Sequence, residues 1–533
     1  MWRRFIGTLF GVLSITVATD GVSFAQSAPL DLWPEQVMAK IRDRRTLDVE
    51  TIPRVGYFEA FYNSEVGDAD WADSHPPYAV HRGDTVRIHA YLASPLVGGP
   101  YPGIVIGHGH HGHGSAEVAM LLASFGYVAL SIDGPRAGQS TGGPEDTEQA
   151  WISVEEVTDV ASPAVSYLYH YAYAGMRGLT LLEDLSTLHW PYSNPYRIDG
   201  GRLGVVGASM GGQFVYYING VDPRVQAAVA IAVAGDWRKL LFYPGSWLYH
   251  GLYYYTRDGL PSGRDDLNTI SDVCLDPTAQ AFLSYFDPIS YAPTQRAPLL
   301  TIIGTHDQYF TLPAINTTYD RVASAGTHPR FRKNILLAPN EKHGVIEGRD
   351  DLDTLRAVIG DVHAWFRYSF DGAAAPPETP TVTMRVEAEA MVFSVMAVPG
   401  SRPIQTVNVW FATQIDTLPE VANDFASIKL EWTGSDYAGR LPIGAAPPNG
   451  PPARPDNILY FAEARDLANF AVTSKMYYRA GELSFCGGFV PLIEHFPGDH
   501  LPVPPPPMPN CSCPARPGAR GAMTPPWSGE VDR

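Results

Sequence analysis

At 533 residues the chain is too long for one ordinary domain, and with 45% hydrophobic against 18% charged residues it has ample apolar material for a large core. A net charge of −18 with no basic stripe excludes nucleic-acid binding by phosphate neutralisation; such acidity bears on solubility, not on fold.

The chain opens Met1-Trp2-Arg3-Arg4, continues through an apolar stretch over 5–18, and reaches Ser23-Phe24-Ala25. A basic start, a short apolar run and a small-x-small site read as a secretory signal peptide over 1–25. The apolar run is too short to span a bilayer, and no cysteine follows it for a lipid anchor. Export to the periplasm or beyond is expected, with no stable membrane insertion. Residues 26–50 read as an exposed lead-in helix and linker. Alternating runs such as 85–92 make 51–97 strand-rich, so 26–97 is expected to hold the lead-in and the first strands of the next unit.

From 98 to 371 apolar runs alternate with helical stretches. The strands are expected at 101–106, 128–132, 203–206, 225–232, 299–303 and 334–337. The helices are expected around 115–125, 163–186, 211–219, 312–325 and 350–368. This alternation predicts an α/β domain with a mostly parallel sheet covered by helices on both faces. Residues 236–298 interrupt it with an aromatic-rich insertion, including Trp237, Trp247 and Tyr253-Tyr254-Tyr255, read as a cap. A boundary follows at Asp371-Gly-Ala-Ala-Ala-Pro-Pro. Short alternating runs over 378–485 then predict an antiparallel β-sandwich. Residues 486–533 form a Pro-rich tail, read as extended or disordered. The cysteines are Cys274, Cys486, Cys511 and Cys513. In an oxidising compartment Cys486 is expected to pair with Cys511 or Cys513, because Cys274 lies in the cap.

The chemistry concentrates in Gly207-Ala208-Ser209-Met210-Gly211. A short strand runs into this G-x-S-x-G turn and a helix leaves it, the arrangement that holds a serine hydroxyl exposed on a tight elbow. Such a serine needs a base, and the base needs an orienting acid. Asp307 follows the strand at 299–303, and His343 follows the strand at 334–337. Asp236 is the rival acid. His306 and His363 are the rival bases, the first expected to point away and the second placed within a helix. An oxyanion hole is expected from the backbone N–H groups of Met210 and His110. The latter lies in the loop Gly107-His108-Gly109-His110-His111-Gly112-His113-Gly114. This histidine-rich loop has neither a supporting cysteine nor an H-E-x-x-H spacing, so it is read as an oxyanion loop with no metal. Asp133 and Arg136, in the turn after 128–132, are read as structural.

Residues 98–370 resemble the α/β-hydrolase superfamily, and more nearly its dienelactone hydrolase, acetyl xylan esterase and prolyl oligopeptidase-like branch. The resemblance is carried by Gly107–Gly112, Gly126-Tyr-Val, Asp133-Gly-Pro-Arg-Ala-Gly, Gly207–Gly212, Val221-Asp-Pro-Arg-Val, Gly304–Asp307 and Lys342-His343-Gly. The chain order Ser209, Asp307, His343 is that of the superfamily. One departure is the His-Gly-His-His-Gly loop in place of a run of glycines. Another is that 26–97 leaves no room for an upstream propeller. The resemblance implies a serine hydrolase acting on a carboxylic ester, small or polymer-borne, without a cofactor. An acylaminoacyl-type peptidase with the same triad is the alternative. A non-catalytic binding protein working through the sandwich is the reading from another class. The sandwich resembles an immunoglobulin-type module and offers Trp410 and Trp432 as candidate polymer contacts. The acyl group, the alcohol and the oligomeric state are not legible.

Overall fold

The computed structural model describes residues 32–67, 84–146, 166–187, 196–240, 283–323, 326–345, 352–415 and 424–485. The segment 1–25 read as a signal, residues 241–282 of the insertion read as a cap (236–298), all four cysteines with the expected Cys486 pairing, and the Pro-rich tail lie outside the described residues. Among the described residues no helix is long and apolar enough to cross a membrane.

Among the described residues nine strands form the central sheet. They are β1 (Glu50–Pro53), β2 (Phe58–Val66), β3 (Thr85–Ala93), β4 (Tyr101–Gly107), β5 (Val128–Ile132), β6 (Ile198–Ala208), β7 (Val225–Ile231), β8 (Leu299–Gly304) and β9 (Lys333–Ala338). Their order is β1-β2-β3-β5-β4-β6-β7-β8-β9. The pairings β1/β2, β2/β3 and β3/β5 are antiparallel. From β5 through β4 to β9 every pairing is parallel. Parallel strands need crossovers, and the helices of the described residues, all but the first and the last, lie in them. They are α1 (Glu35–Arg42), α2 (Ala116–Ser124), α3 (Tyr167–Thr187), α4 (Met210–Val221), the short α5 (Trp237–Leu240) and α6 (Pro288–Tyr291), α7 (Leu312–Arg321) and α8 (Leu352–Asp371). Central strands such as β5 and β8 are buried at every position, as expected of strands covered on both faces.

The lead-in is not the exposed segment that its sequence suggests. Met38 and Ile41 of α1 are buried, and Trp33 stacks on Tyr169 of α3 with ring centroids 4.7 Å apart. Arg177 of α3 is only 1% exposed, and its guanidinium donates to the carbonyl oxygens of Lys40, Ile41, Asp43 and Asn63. A buried cation needs such acceptors, and the open end of α1 provides them. Composition alone shows a short polar helix; the buried arginine that it caps lies far away in the chain.

Beyond α8 two antiparallel sheets follow. One has the order β10 (Thr381–Glu387), β11 (Ala390–Met396), β15 (Tyr437–Pro442), β14 (Glu431–Trp432). The other runs β13 (Ala426–Lys429), β12 (Ile404–Ala412), β16 (Leu459–Asp466), β18 (Tyr477–Tyr478), β19 (Gly481–Glu482), with β17 (Ala471–Thr473) also paired to β16. Their inner faces meet through Met391, Phe393 and Val395 against Val409, Tyr460 and Ala462, which closes a sandwich. The apolar run at 428–432 is split between the sheets, because Leu430 sits between β13 and β14 and its backbone N–H donates to Val407 O.

The sandwich is joined to the α/β body. Thr473 Oγ1 accepts from Leu337 N at 2.9 Å and donates to Ile335 O at 3.2 Å, so β17 lies along β9. Asn316 of α7 donates to the carbonyls of Met476 and Leu483 and accepts from Met476 N. Asp361 of α8 accepts from Ala471 N at 3.1 Å. Trp410 packs partly buried against the core, which removes it as a free surface contact; Trp432, 57% exposed, remains on the surface.

Candidate active site

The C-terminal ends of β4, β6, β8 and β9 converge, and each delivers part of one site. β6 ends in Ala208, and α4 begins at Met210, so the chain reverses on Ser209 alone. Ser209 takes φ 58° and ψ −119°, a conformation that costs a non-glycine residue about 1–3 kcal/mol. Its neighbours make the turn possible by having no side chain. A Cβ at Gly207 would lie 2.4 Å from Gly211 O, and one at Gly211 would lie 2.3 Å from Gly107 O. The strained residue is held from both sides: Ser209 N donates to Ile231 O, and Ser209 O accepts from Gly212 N.

His343 Nε2 lies 2.8 Å from Ser209 Oγ. His343 Nδ1 lies 2.8 Å from Asp307 Oδ2. A carboxylate only accepts, so Nδ1 carries the proton and Nε2 is left to accept from the serine hydroxyl. Asp307 is fixed in turn, because its Oδ1 accepts from Tyr309 N at 2.8 Å and Phe310 N at 2.9 Å. The loops after β8 and β9 close on each other. His306 N donates to Glu341 O, and a Cβ at Gly304 would strike Glu341 O at 2.2 Å. The rings of Tyr309 and Phe310 lie beside the imidazole, 4.4 and 5.8 Å away between centroids.

The rivals are occupied elsewhere. His306 is buried, with Thr305 Oγ1 at 2.9 Å and Asp424 of the sandwich at 3.3 Å on its two ring nitrogens. His363 meets Tyr127 Oη at 2.9 Å. Asp236 pairs with Lys239 at 3.2 Å and lies beside Asp287. Burial and the charge of Asp236 push the Asp287 carboxyl up to about 8, although backbone N–H groups of Trp237 and Ile289 bond it.

Of the two expected oxyanion donors, Met210 directly follows Ser209, and the loop that carries His110 approaches the serine through Gly109. Met210 is the first residue of α4, whose opening N–H groups have no intrahelical acceptor. Gly109, next to His110, faces the nucleophile: a Cβ there would lie 3.5 Å from Ser209 Cβ. Sequence reasoning missed what holds this loop. The His108 ring donates from Nδ1 to Gly109 O at 2.7 Å and accepts at Nε2 from Gly134 N at 2.9 Å. Burial pushes its imidazole below the usual range, which keeps this neutral tautomer. Tyr171 of α3 accepts from His108 N and donates to His108 O at 3.1 Å. Asp133 anchors the next turn by accepting from Gly114 N, Gln139 N and His89 Nδ1 at 2.7–2.9 Å, which matches a structural role. Arg136 is on the surface, 3.3 Å from Glu145. Tyr171 and Asp146, which contacts His110 and His111, carry no motif; only the folded chain brings them to the loop.

The strand order and the serine elbow are those of the α/β-hydrolase fold. Residues 88–232 match the model of the dienelactone hydrolase family, and residues 201–425 match one described as PhoPQ-activated pathogenicity-related protein. The first of these matches agrees with the resemblance that the motifs carry. Among solved structures, acetyl xylan esterase 1 from Thermoanaerobacterium sp. JW/SL YS485 is 18% identical with a TM-score of 0.42, covering 62% of this chain and 93% of its own. Acetyl xylan esterase from Paenibacillus sp. R4 is 19% identical with a TM-score of 0.45, covering 63% and 94%. Pyrococcus horikoshii acylaminoacyl peptidase is 16% identical with a TM-score of 0.38, covering 63% of this chain and 43% of its own. No curated protein matches the chain.

Proposed function

We propose that the protein is an exported serine esterase that cleaves carboxylic esters through an acyl-enzyme. The observation that carries this reading is the continuous contact from Ser209 Oγ through His343 to Asp307 on a strained, glycine-crowded elbow. Ser209 Oγ attacks the ester carbonyl carbon while His343 Nε2 takes the hydroxyl proton. The N–H groups of Met210 and His110 stabilise the negative charge that develops on the carbonyl oxygen. Collapse of the tetrahedral intermediate breaks the bond to the alcohol oxygen, and His343 gives that oxygen its proton. Water, deprotonated by the same imidazole, then attacks the acyl-Ser209 carbonyl and releases the acid. Asp307 keeps the imidazole in the required tautomer throughout. No cofactor enters these steps.

Export rests on the signal-like segment 1–25. The substrate is a small or polymer-borne ester; peptide hydrolysis by the same triad is the competing reading. A panel of p-nitrophenyl esters of increasing acyl length, set beside N-acyl aminoacyl p-nitroanilides, separates the two. Ester turnover far above anilide turnover is expected. An anilide preference would replace the esterase reading with the peptidase one.

A further inference from the structure

The loop between β4 and α2 has a second feature that the proposed reaction does not use. His110 and His111 stack face to face, their ring centroids 3.7 Å apart and their planes 29° from parallel. His111 takes a left-handed backbone, φ 56°, which is uncommon for a residue with a side chain. Asp146, from the turn beyond β5, reaches the pair. Its Oδ1 lies 2.7 Å from His110 Nδ1, and its Oδ2 accepts from His111 N at 2.6 Å. One side-chain ligand atom from each of the three residues falls within 4.8 Å of the other two. His110 and Asp146 are partly buried and His111 is exposed, so an ion in solution has access.

We propose that His110, His111 and Asp146 form a binding site for one divalent transition-metal ion of the zinc class, with water completing the coordination. Two imidazoles and a carboxylate are the donors such ions take, whereas calcium and magnesium favour all-oxygen sites. Zinc bonds of about 2.0–2.2 Å in a tetrahedral arrangement need ligand atoms about 3.3–3.5 Å apart, a spacing between the 2.7 Å of His110 Nδ1 to Asp146 Oδ1 and the 4.8 Å limit of the cluster, so an ion requires the side chains to readjust. The sequence conceals this site, since the loop alone supplies two stacked histidines and the third ligand comes from a different turn. An ion held here fixes the backbone at His110. That residue supplies the second oxyanion N–H, a consequence that rests on the esterase reading; binding itself does not.

The test is binding, independent of turnover. The full chain, stripped with a chelator, is titrated with Zn2+ by calorimetry and with Co2+ by visible absorption. One ion per chain is expected, with cobalt bands at low coordination number. His111→Ala and Asp146→Asn are each expected to weaken Zn2+ binding by about tenfold or more, as loss of a ligand or its partner does at zinc sites. Asparagine keeps an oxygen for the His111 N–H, and circular dichroism checks that both variants are folded. His343→Ala is expected to bind as the parent does, which separates this site from the Ser209–His343 pair. Absence of saturable binding by the parent chain, retention of its affinity by either loop variant, or a loss that follows His343 instead would each overturn the proposal.

Discussion

Two histidines, His343 and His306, make the same kind of contact in different surroundings. His343 meets Asp307 at 2.8 Å and Ser209 at 2.8 Å, at the open ends of parallel strands. His306 meets Asp424 at 3.3 Å inside the junction between the α/β body and the sandwich, only 3% exposed. A histidine–aspartate pair is therefore not a site in itself. What distinguishes the first is a serine forced into a strained turn within reach of the free ring nitrogen; what distinguishes the second is a sandwich that seals it. The sheet ends concentrate strain and close backbone contacts, while the sandwich and its junction put their polar groups into holding two domains together.

The largest expected contrast comes from removing one partner of each pair. Ser209→Ala is expected to lower ester turnover by about four orders of magnitude or more with the fold intact, and adding His343→Ala should cost little further, since triad members act as a unit. Asp424→Ala should leave turnover essentially unchanged and lower stability by about 1–3 kcal/mol, through loss of a buried polar partner. Steady-state kinetics and urea unfolding on the same preparations check both. If Asp424→Ala abolished turnover while Ser209→Ala did not, the two roles would be reversed.

Glycines sharpen the contrast further. A methyl group at Gly211 would sit 2.3 Å from a backbone oxygen of the oxyanion loop, whereas one at Gly481 in the sandwich meets nothing within 4 Å. Gly211→Ala should cost about a hundredfold in turnover by displacing elbow and loop, and Gly481→Ala should stay within about 0.5 kcal/mol of the parent in stability.

The junction carries its own pH signature. Burial, chiefly, pushes the Asp361 carboxyl up to about 8, where it accepts from Ala471 N. The native state then keeps a proton that the unfolded chain releases near pH 4, so this group's contribution to stability declines as pH rises from about 4 to about 8. Asp361→Asn, which keeps the accepting oxygen, should narrow the difference in melting temperature between pH 5 and pH 9. An unchanged difference would show that Asp361 is ionised in the folded protein. A small gain is expected on α8, where a methyl group at Gly360 meets nothing within 4 Å; Gly360→Ala should add about 0.5–1 kcal/mol through helix propensity.

The central strands and the elbow are legible because local sequence dictates them. β5 is a run of five buried residues, and Gly207, Ser209 and Gly211 stand at the only spacing that makes the turn. Asp307 and His343 are legible because each directly follows a buried strand that ends beside the elbow. What escapes is long-range. The packing of α1 depends on Arg177, the loop on Tyr171, and the histidine pair on Asp146, each a contact between segments with no shared pattern.

The central claim is that Ser209, alone among the serines of this chain, is the activated nucleophile. The direct measurement is reaction of the purified full-length protein with a fluorophosphonate, followed by intact-mass and peptide analysis. One adduct per chain on the peptide bearing Ser209, lost in Ser209→Ala and suppressed in His343→Ala, is the expected result. An active preparation that takes no adduct, or takes it on another serine, would contradict the account.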